Sequence, residues 1–243
     1  MTIFLSVFLA WVFQTVTGFG AGIFIVGFLS LLYDPKMVVV SSALFNLLGT
    51  LGLLLQNRGG RVNLYMLLSL VVGSVPGILL GAFLLDRLDS RELRLLIGLF
   101  ILYLGLYDLA VQKGLIKLRM NRYMGVPMGF LSGIFAGLVG MGGPPPVVFL
   151  NQLLKDSQSI RLMLNLFFTS NILIRLLFYG GFDMLYLDVE FILPGLLGVL
   201  TGLSLGYVLS KLIKEHHYKR GVAYGVITVG LTLLVFTELK YRQ

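Results

Sequence analysis

The chain has 243 residues, 57% of them hydrophobic and only 12% charged, with a formal net charge of +8 and no cysteine. Apolar runs of about 18 or more residues recur from end to end, which is typical of transmembrane helices and excludes a soluble domain. The positive charge lies in short loops, where the positive-inside bias of membrane proteins accounts for it, so no nucleic-acid partner is expected.

Eight apolar segments follow one another along the chain and predict an all-α polytopic protein of the lipid bilayer. They span about residues 2–33, 37–56, 63–86, 91–111, 122–153, 158–180, 187–213 and 217–239. No polar stretch is long enough for a separate soluble domain, so residues 1–243 are expected to form a single membrane domain. The first segment lacks the basic start and small-residue cleavage pattern of a signal peptide, and we expect it to be retained.

The two sides of the central loop resemble each other, which predicts an internal duplication of four segments each, residues 1–111 and 122–239. Matching pairs in register include Phe13 and Phe135, Gly18 and Gly140, Gly20 and Gly142, Asn46 and Asn171, and Gly105 and Gly230. Glycines spaced by four indicate close helix packing. They are Gly73, Gly77 and Gly81 in the first half and Gly198, Gly202 and Gly206 in the second.

Both halves open with a segment that an unbroken helix does not explain. VTGFGAG (Val16 to Gly22) carries three glycines, and GLVGMGGPPPVVF (Gly137 to Phe149) carries a glycine run followed by three prolines. Glycine permits backbone angles closed to other residues, and proline is accepted only in the first turn of a helix, so each string predicts a break between two half-helices. Each arm, at about 15 residues and roughly 22 Å, is too short to cross a bilayer.

We therefore expect two re-entrant hairpins in two inverted halves, with a long, tilted, broken crossing as the alternative. Loop charges favour the hairpins. Eight full crossings would divide the basic loop residues almost evenly between the two faces, whereas two re-entrant segments gather most of them on one face. The positive-inside rule then places that face in the cytoplasm and both termini outside, in a multi-pass protein of the cell inner (cytoplasmic) membrane.

The two tips should line a site, because irregular backbone is tolerated at membrane depth only where protein surrounds it or a wet cavity meets it. A tip followed by a half-helix presents free N–H groups and the positive end of a helix dipole, which attract anions. The expected donors are Gly18, Phe19, Gly20, Ala21 and Gly22 in the first half and Met141, Gly142 and Gly143 in the second.

Polar residues inside apolar segments are costly and are therefore functional candidates. Asn171 and Arg175 share a helix face, as do Asn46 and Thr50 at the matching positions of the first half. Arg175 could pair bidentately with an oxyanion, or instead snorkel or bond to backbone carbonyls. The predicted substrate-binding set is Gln14, Thr17, Gly18, Phe19, Gly20, Gly22, Asn46, Gly140, Met141, Gly142, Gly143, Pro144, Asn171 and Arg175. In this set Gln14, Asn46 and Asn171 are expected to orient the substrate by hydrogen bonds.

Catalytic chemistry has no visible basis in the sequence. We find no grouping of nucleophile, base and orienting residue, no metal-ligand spacing and no phosphate-binding loop. We therefore expect neither an enzyme nor a cofactor or metal.

The half-motifs WVFQTVTGFGAG (Trp11 to Gly22) and LSGIFAGLVGMGGPPPVVFL (Leu131 to Leu150), followed by Arg161, resemble the TauE/SafE sulfite exporter family. Its members are also called 4-toluene sulfonate uptake permeases. The resemblance implies secondary transport of small sulfur-containing or organic anions such as sulfite, sulfoacetate or other sulfonates. It also implies that the two tips form the centre of the translocation path.

The sequence thus predicts a secondary transporter that binds a small anionic substrate between the tips and alternates its access as one half moves against the other. An anion-selective channel and a membrane-embedded subunit of a larger assembly are the alternatives. Which anion is carried, in which direction and with which coupling ion is left open, as is a homodimer.

Overall fold

The computed structural model describes residues 1–18, 20–56, 59–113, 115, 120–185, 188–212 and 219–241, and over these ranges it holds ten α-helices and no β-strand. The predicted all-α class is confirmed. The helices are α1 (Thr2–Thr17), α2 (Ala21–Leu32), α3 (Pro35–Gln56), α4 (Leu64–Arg87), α5 (Ser90–Gln112), α6 (Gly125–Val139), α7 (Pro144–Leu153), α8 (Ser157–Gly181), α9 (Val189–Leu212) and α10 (Lys219–Tyr241).

Six helical stretches of the described residues are long and apolar enough to cross a membrane, which identifies a multi-pass membrane protein. They are Pro35–Gln56, Leu64–Arg87, Ser90–Val111, Arg122–Val139, Ser157–Gly181 and Val189–Leu212. The fourth of them joins α6 to a preceding 3-10 turn, Arg122–Met124. Without that turn, α6 has 15 residues.

The chain breaks at both of the predicted strings. The first break separates α1, of 16 residues, from α2, of 12, and the second separates α6 from α7, of 10 residues. At 1.5 Å per residue these arms are about 24, 18, 22 and 15 Å long, each shorter than the hydrocarbon core of about 30 Å.

The second arm of each broken pair turns back toward the end where the first arm began. At the second break, Phe149 of α7 returns to Gly125 at the start of α6, with its Cζ atom 3.3 Å from where a Cβ on that glycine would lie. At the first break, α2 ends beside Tyr33, whose ring is 5.2 Å from that of Phe191 at the start of α9. Because α1 runs along α9 from Phe4 onward, α1 and α2 also form a hairpin.

The glycines spaced by four pack helices backbone to backbone, as predicted. A Cβ on Gly77 of α4 would lie 2.2 Å from the carbonyl oxygen of Phe130 in α6, and one on Gly133 of α6 would lie 2.3 Å from that of Ser74 in α4. In the same way, a Cβ on Gly202 of α9 would lie 2.7 Å from the carbonyl oxygen of Phe8 in α1. Only glycine permits these two pairs of helices to approach so closely.

These packed pairs join the two sequence halves instead of separating them. Helix α4 of the first half lies along α6 of the second, and α9 of the second half lies along α1 of the first. Helix α3 packs on α9 and α8 packs on α4, while α3 and α8 meet each other. Each sequence half thus packs against the other along both pairs. The movement of one half against the other stays a prediction.

Contacts between connecting segments show which helix ends lie together. The amide of Arg61, before α4, donates to Ser159 Oγ in the first turn of α8 at 2.8 Å. Asp156 caps α8, and hydrogen bonds from Ser159 to its carboxylate lower the pKa of Asp156. At the other end, the Ser90 hydroxyl donates to Asp34, and the ring of Phe83 at the end of α4 lies 6.5 Å from that of Phe182 after α8.

Candidate functional site

The first break is closed by glycine geometry and by one side chain. Gly18 ends α1 with a φ of 92°, and Gly20 precedes α2 with a φ of 112°, both in the left-handed region that favours glycine. The Gly18 amide donates to the Gln14 carbonyl, and the Ala21 amide donates to Gln14 Oε1 at 2.7 Å. Gln14 therefore caps α2. The sequence predicted Gln14 as a residue that orients the substrate and did not predict this structural role.

The second break is closed by glycine geometry and by the three prolines. Gly140 ends α6 with a φ of 74°, and its amide donates to Ala136 O at 3.0 Å. The Met141 amide donates to Phe135 O at 3.2 Å. The first three residues of α7 are prolines, which have no N–H, so this helix start leaves no donor of its own unpaired in an apolar environment.

The set of free backbone donors is therefore smaller than predicted. The amides of Gly18, Ala21 and Met141 are already bonded within the breaks, so the expectation that they face an anion is wrong. Within the described part of the chain, the amides of Gly22, Gly142 and Gly143 donate to no other group, and these three glycines line the cavity described next. Phe19, also predicted as a donor, lies outside the described residues.

The two tips meet around one cavity. A Cβ on Gly22, in the first turn of α2, would lie 2.9 Å from the carbonyl oxygen of Gly140 at the end of α6. The cavity beside this contact has a volume of about 70 Å³. It is lined by Gln14, Gly20, Gly22, Ile23, Asn46, Thr50, Ala136, Gly140, Met141, Gly142, Gly143, Pro144, Phe168, Asn171, Ile172 and Arg175. Residues from both sequence halves thus converge on one small space.

Most of the residues proposed from the sequence lie in this lining; Thr17 and Gly18 do not. The Thr17 hydroxyl donates to the Phe13 carbonyl within α1. Thr50, which the sequence pairs with Asn46, also lines the cavity, and its repeat match to Arg175 was the available signal. The sequence did not predict the apolar residues of the lining, because in an apolar segment it does not distinguish a residue that lines a cavity from one that faces lipid. These residues are Ile23, Ala136, Phe168 and Ile172.

Arg175 is the cationic residue of the cavity and is only 2% exposed. Its Nη1 atom donates to Ala136 O at 3.2 Å, and its guanidinium lies 5.6 Å from the centre of the Tyr179 ring. The Tyr179 hydroxyl donates to Gly137 O at 2.7 Å. Both side chains therefore bond to the last carbonyls of α6, at the negative end of its dipole, which stabilises the cation.

The two other guanidinium nitrogens of Arg175, Nε and Nη2, have no hydrogen-bond partner. Nε and Nη2 are buried and make no hydrogen bond, and in the described part of the chain no carboxylate pairs with Arg175. Asn46 Oδ1 and Asn171 Nδ2, across the same cavity, are also buried without a partner. Buried polar groups are normally hydrogen-bonded, and an unpaired buried charge is especially costly, so these unpaired atoms make the cavity a candidate site for a polar ligand.

An apolar helical bundle whose broken helices enclose a small cationic cavity has the construction of a polytopic membrane transport protein. The comparison with known proteins agrees. The chain belongs to the TauE/SafE sulfite exporter family, whose sequence model matches residues 3–233. The resemblance seen in the two half-motifs is thus confirmed. Members of this family are transporters and not enzymes, as expected from the sequence.

One curated relative is the probable sulfite/organosulfonate exporter TauE of Cupriavidus necator, which is 30% identical over 171 residues. The match spans 68% of this chain and 66% of the relative, just under two thirds of the relative's length. No solved structure matches the chain.

Proposed function

We propose that this protein is a secondary transporter that moves small sulfur-containing or organic oxyanions, such as sulfite and sulfonates, across the cytoplasmic membrane. The observation that carries the proposal is the buried guanidinium of Arg175, whose Nε and Nη2 atoms are free beside two helix breaks. Membership of the exporter family supports transport. The name of the C. necator relative supports sulfite and organosulfonates as the substrates.

In the proposed complex, two oxygens of the anion accept hydrogen bonds from Nε and Nη2 of Arg175. These two atoms form one edge of the planar guanidinium, and such an edge pairs bidentately with oxyanions. The Asn171 amide and the free amides of Gly22, Gly142 and Gly143 supply neutral donors around the remaining oxygens. The anion would thus satisfy the Arg175 and Asn171 donors that are otherwise buried without partners.

For the topology we propose that α1–α2 and α6–α7 are re-entrant hairpins, with tips near the midplane, in two inverted halves of four segments. The contact between Arg61 and Ser159 supports this, because eight full crossings would place these residues on opposite faces. The contact between Phe83 and Phe182 supports it in the same way at the other face. Helix α1 corresponds to α6 in the other half, and α9 corresponds to α4. The packing of α1 on α9 and of α6 on α4 is therefore the same contact made twice, which supports the internal duplication.

Alternating access would involve two helix groups that each draw on both sequence halves. One group contains α1, α3 and α9, and the other contains α4, α6 and α8. The glycine contacts of α1 with α9 and of α4 with α6 lie inside these groups. Helix α3 brings Asn46 and Thr50 to the cavity, and α8 brings Asn171 and Arg175. Movement of one group against the other would open the cavity to either face without separating the glycine-packed pairs.

The test compares Arg175→Gln with Arg94→Gln in proteoliposomes loaded with labelled sulfite. Arg94 is a matched control, because it is also 2% exposed with two unpartnered nitrogens but does not line the cavity. We expect Arg175→Gln to lower flux about thirtyfold or more, since removing one member of a buried charge pair costs several kcal/mol. Arg94→Gln should keep its flux per folded molecule.

The same vesicles distinguish a carrier from a channel. A carrier shows counterflow, in which unlabelled substrate on one side accelerates the movement of labelled substrate from the other. A channel shows flux without counterflow. Wild-type flux in a folded Arg175→Gln variant would contradict the assignment of the site.

A further inference from the structure

A buried hydroxyl group reaches across the second break. Ser132 in α6 is fully buried, and its hydroxyl donates to the carbonyl oxygen of Gly142, ten residues further along the chain. The equally buried hydroxyls of Ser42 and Ser74 instead donate to carbonyls three residues back in their own helices. Such a local bond is the common arrangement for a serine inside a helix. The hydroxyl of Ser132 therefore holds the tip and not its own helix.

This bond also fixes the direction of a neighbouring amide. In a trans peptide unit the C=O and the following N–H lie in one plane and point in opposite directions. The described part of the chain contains no cis peptide bond. Because the Gly142 carbonyl points to Ser132, the amide of Gly143 points away from Ser132. That amide donates to no group of the described residues, and Gly143 lines the cavity.

The corresponding peptide unit of the first tip is held by its amide. In the repeat register that pairs Gly20 with Gly142, Ala21 matches Gly143. The Ala21 amide donates to Gln14 Oε1 at 2.7 Å, so a ligand cannot use it. The first tip therefore offers no donor at the position where the second tip has a free amide.

Two differences in sequence between the halves account for this contrast. The same register places Ala136 where the first half has Gln14, so the second tip lacks the side-chain acceptor that binds the amide. It places Ser132 where the first half has Ala10, so the second tip gains a side-chain donor for its carbonyl. The hydrogen bond from a side chain thus lies on the N–H of this peptide unit in one half and on its C=O in the other.

Resting on the proposed function of the cavity, we infer that Ser132 is a positioning residue that directs the Gly143 amide at the bound oxyanion. Without its bond, the Gly142 carbonyl would be a buried acceptor beside a cavity that holds unpaired donors on Arg175 and Asn171. Glycine on both sides allows this peptide unit to rotate. A rotated unit would turn a carbonyl oxygen toward the anion in place of an N–H, and that oxygen would compete with the anion for the same donors.

The test compares Ser132→Ala with Ser74→Ala by titration calorimetry of the purified full-length protein, with sulfite and methanesulfonate as probes. Ser74 is a matched control, because it is equally buried, lies in the helix packed on α6 and bonds within its own helix. We expect Ser132→Ala to lower the affinity for both probes at least about tenfold, because a donor to a charged ligand is lost. Ser74→Ala should bind as the wild type does.

Calorimetry measures the affinity separately from the fraction of protein that is competent to bind, so a smaller folded fraction alone leaves the affinity unchanged. Wild-type affinity in Ser132→Ala would overturn the inference and leave the anion site in place. Absence of binding by the wild type would refute the proposed function, and this inference with it.

Ser132→Cys decides the question if Ser132→Ala does not fold. The thiol keeps the shape of the side chain but is a weaker donor, so we expect an affinity at least about threefold below that of the wild type. An unchanged affinity in this variant would then overturn the inference.

A double variant separates rotation of the peptide unit from a general loosening of the tip. Rotation would carry the φ of Gly143 from −66° into the positive range, which glycine adopts and alanine avoids. In the Gly143→Ala background, Ser132→Ala should therefore lower the affinity by less than about threefold relative to Gly143→Ala alone. An equal loss in both backgrounds would show that Ser132 does not act through this peptide unit and would overturn the inference.

Discussion

At the scale of single residues, the guanidinium of Arg175 has one bonded nitrogen and two that the proposed anion would contact. The sequence left open whether this side chain bonds to backbone carbonyls or binds a ligand. In the structure Nη1 is bonded to Ala136 O, while Nε and Nη2 remain free. The carbonyl bond holds the guanidinium in place, so in the proposed complex the free edge would already be oriented before an anion arrives. Such preorganisation lowers the entropic cost of binding.

Neighbouring glycines at the second tip are predicted to differ sharply in their tolerance of a methyl group. A Cβ on Gly142 would lie 2.7 Å from Ser132 O, whereas one on Gly143 would meet only Phe168 Cζ at 3.9 Å. We expect Gly142→Ala to lower the free energy of unfolding by about 1–3 kcal/mol through overpacking. Gly143→Ala, at a helical φ of −66°, should leave it unchanged or raise it.

Thermal unfolding in detergent, followed by the fluorescence of the single tryptophan, Trp11, measures both variants side by side. Equal melting temperatures for the two alanine variants would show that the tip is not packed as described.

At the scale of elements, the two halves solve the same problem with different chemistry. A helix break in an apolar environment must satisfy or remove the unpaired amides at the start of the next helix. In the first half the Gln14 side chain accepts from the Ala21 amide. In the second half Pro144, Pro145 and Pro146 remove the first three donors of α7. Breaks at corresponding places in the two sequence halves therefore do not require the same residues at their tips.

Glycine contacts between α4 and α6 lead to a second stability prediction. Gly77→Ala places a methyl group 2.2 Å from the Phe130 carbonyl oxygen, and the two helices must separate to admit it. We expect destabilisation of at least about 1–3 kcal/mol, together with loss of transport, because the packed group holds the second tip. Gly225→Ala in α10 is the matched control, since no atom of the described residues lies within 4 Å of its Cβ position.

Yield of monodisperse protein and melting temperature, compared between the two alanine variants, provide the measurement. An equally stable Gly77→Ala variant would rule out the close backbone contact between α4 and α6.

At the scale of the whole molecule, helices of the two sequence halves are interleaved, which bears on the proposed movement. Close glycine contacts connect α1 to α9 and α4 to α6, and breaking them would expose backbone packing surfaces to lipid. The proposed moving groups therefore each take helices from both halves. The cavity lies where α3 of one group meets α8 of the other, so a small relative rotation would change its access.

The topology predicts which loops share a face, and the absence of native cysteine makes the test clean. Single-cysteine variants Arg61→Cys and Lys155→Cys, both at exposed positions, should react with a membrane-impermeant maleimide from the same side. Arg87→Cys and Glu190→Cys should react from the other side. The positive-inside rule assigns the first pair to the cytoplasm.

Labelling of right-side-out cells and inverted vesicles distinguishes the two faces. Eight full crossings would instead place Arg61 and Lys155 on opposite sides, and that labelling pattern would reject the re-entrant hairpins.

The sequence by itself determined the helical class, the positions of the helices and both breaks. It also identified Asn46, Asn171 and Arg175 as candidate substrate-binding residues. These features depend on local properties, namely the length of apolar runs, the backbone freedom of glycine, the missing N–H of proline and the rarity of polar residues in apolar segments. Each can be evaluated within a few turns of the chain.

The tertiary structure alone decided which groups remain available for a ligand. Whether the amides of Ala21 and Met141 are free, which edge of Arg175 is unpaired and which apolar residues line the cavity all depend on partners brought together by folding. The tertiary structure likewise decided that α4 of the first sequence half packs on α6 of the second. Hydrogen bonds and close packing in an apolar interior are pairwise and geometric, so they emerge only when distant segments meet.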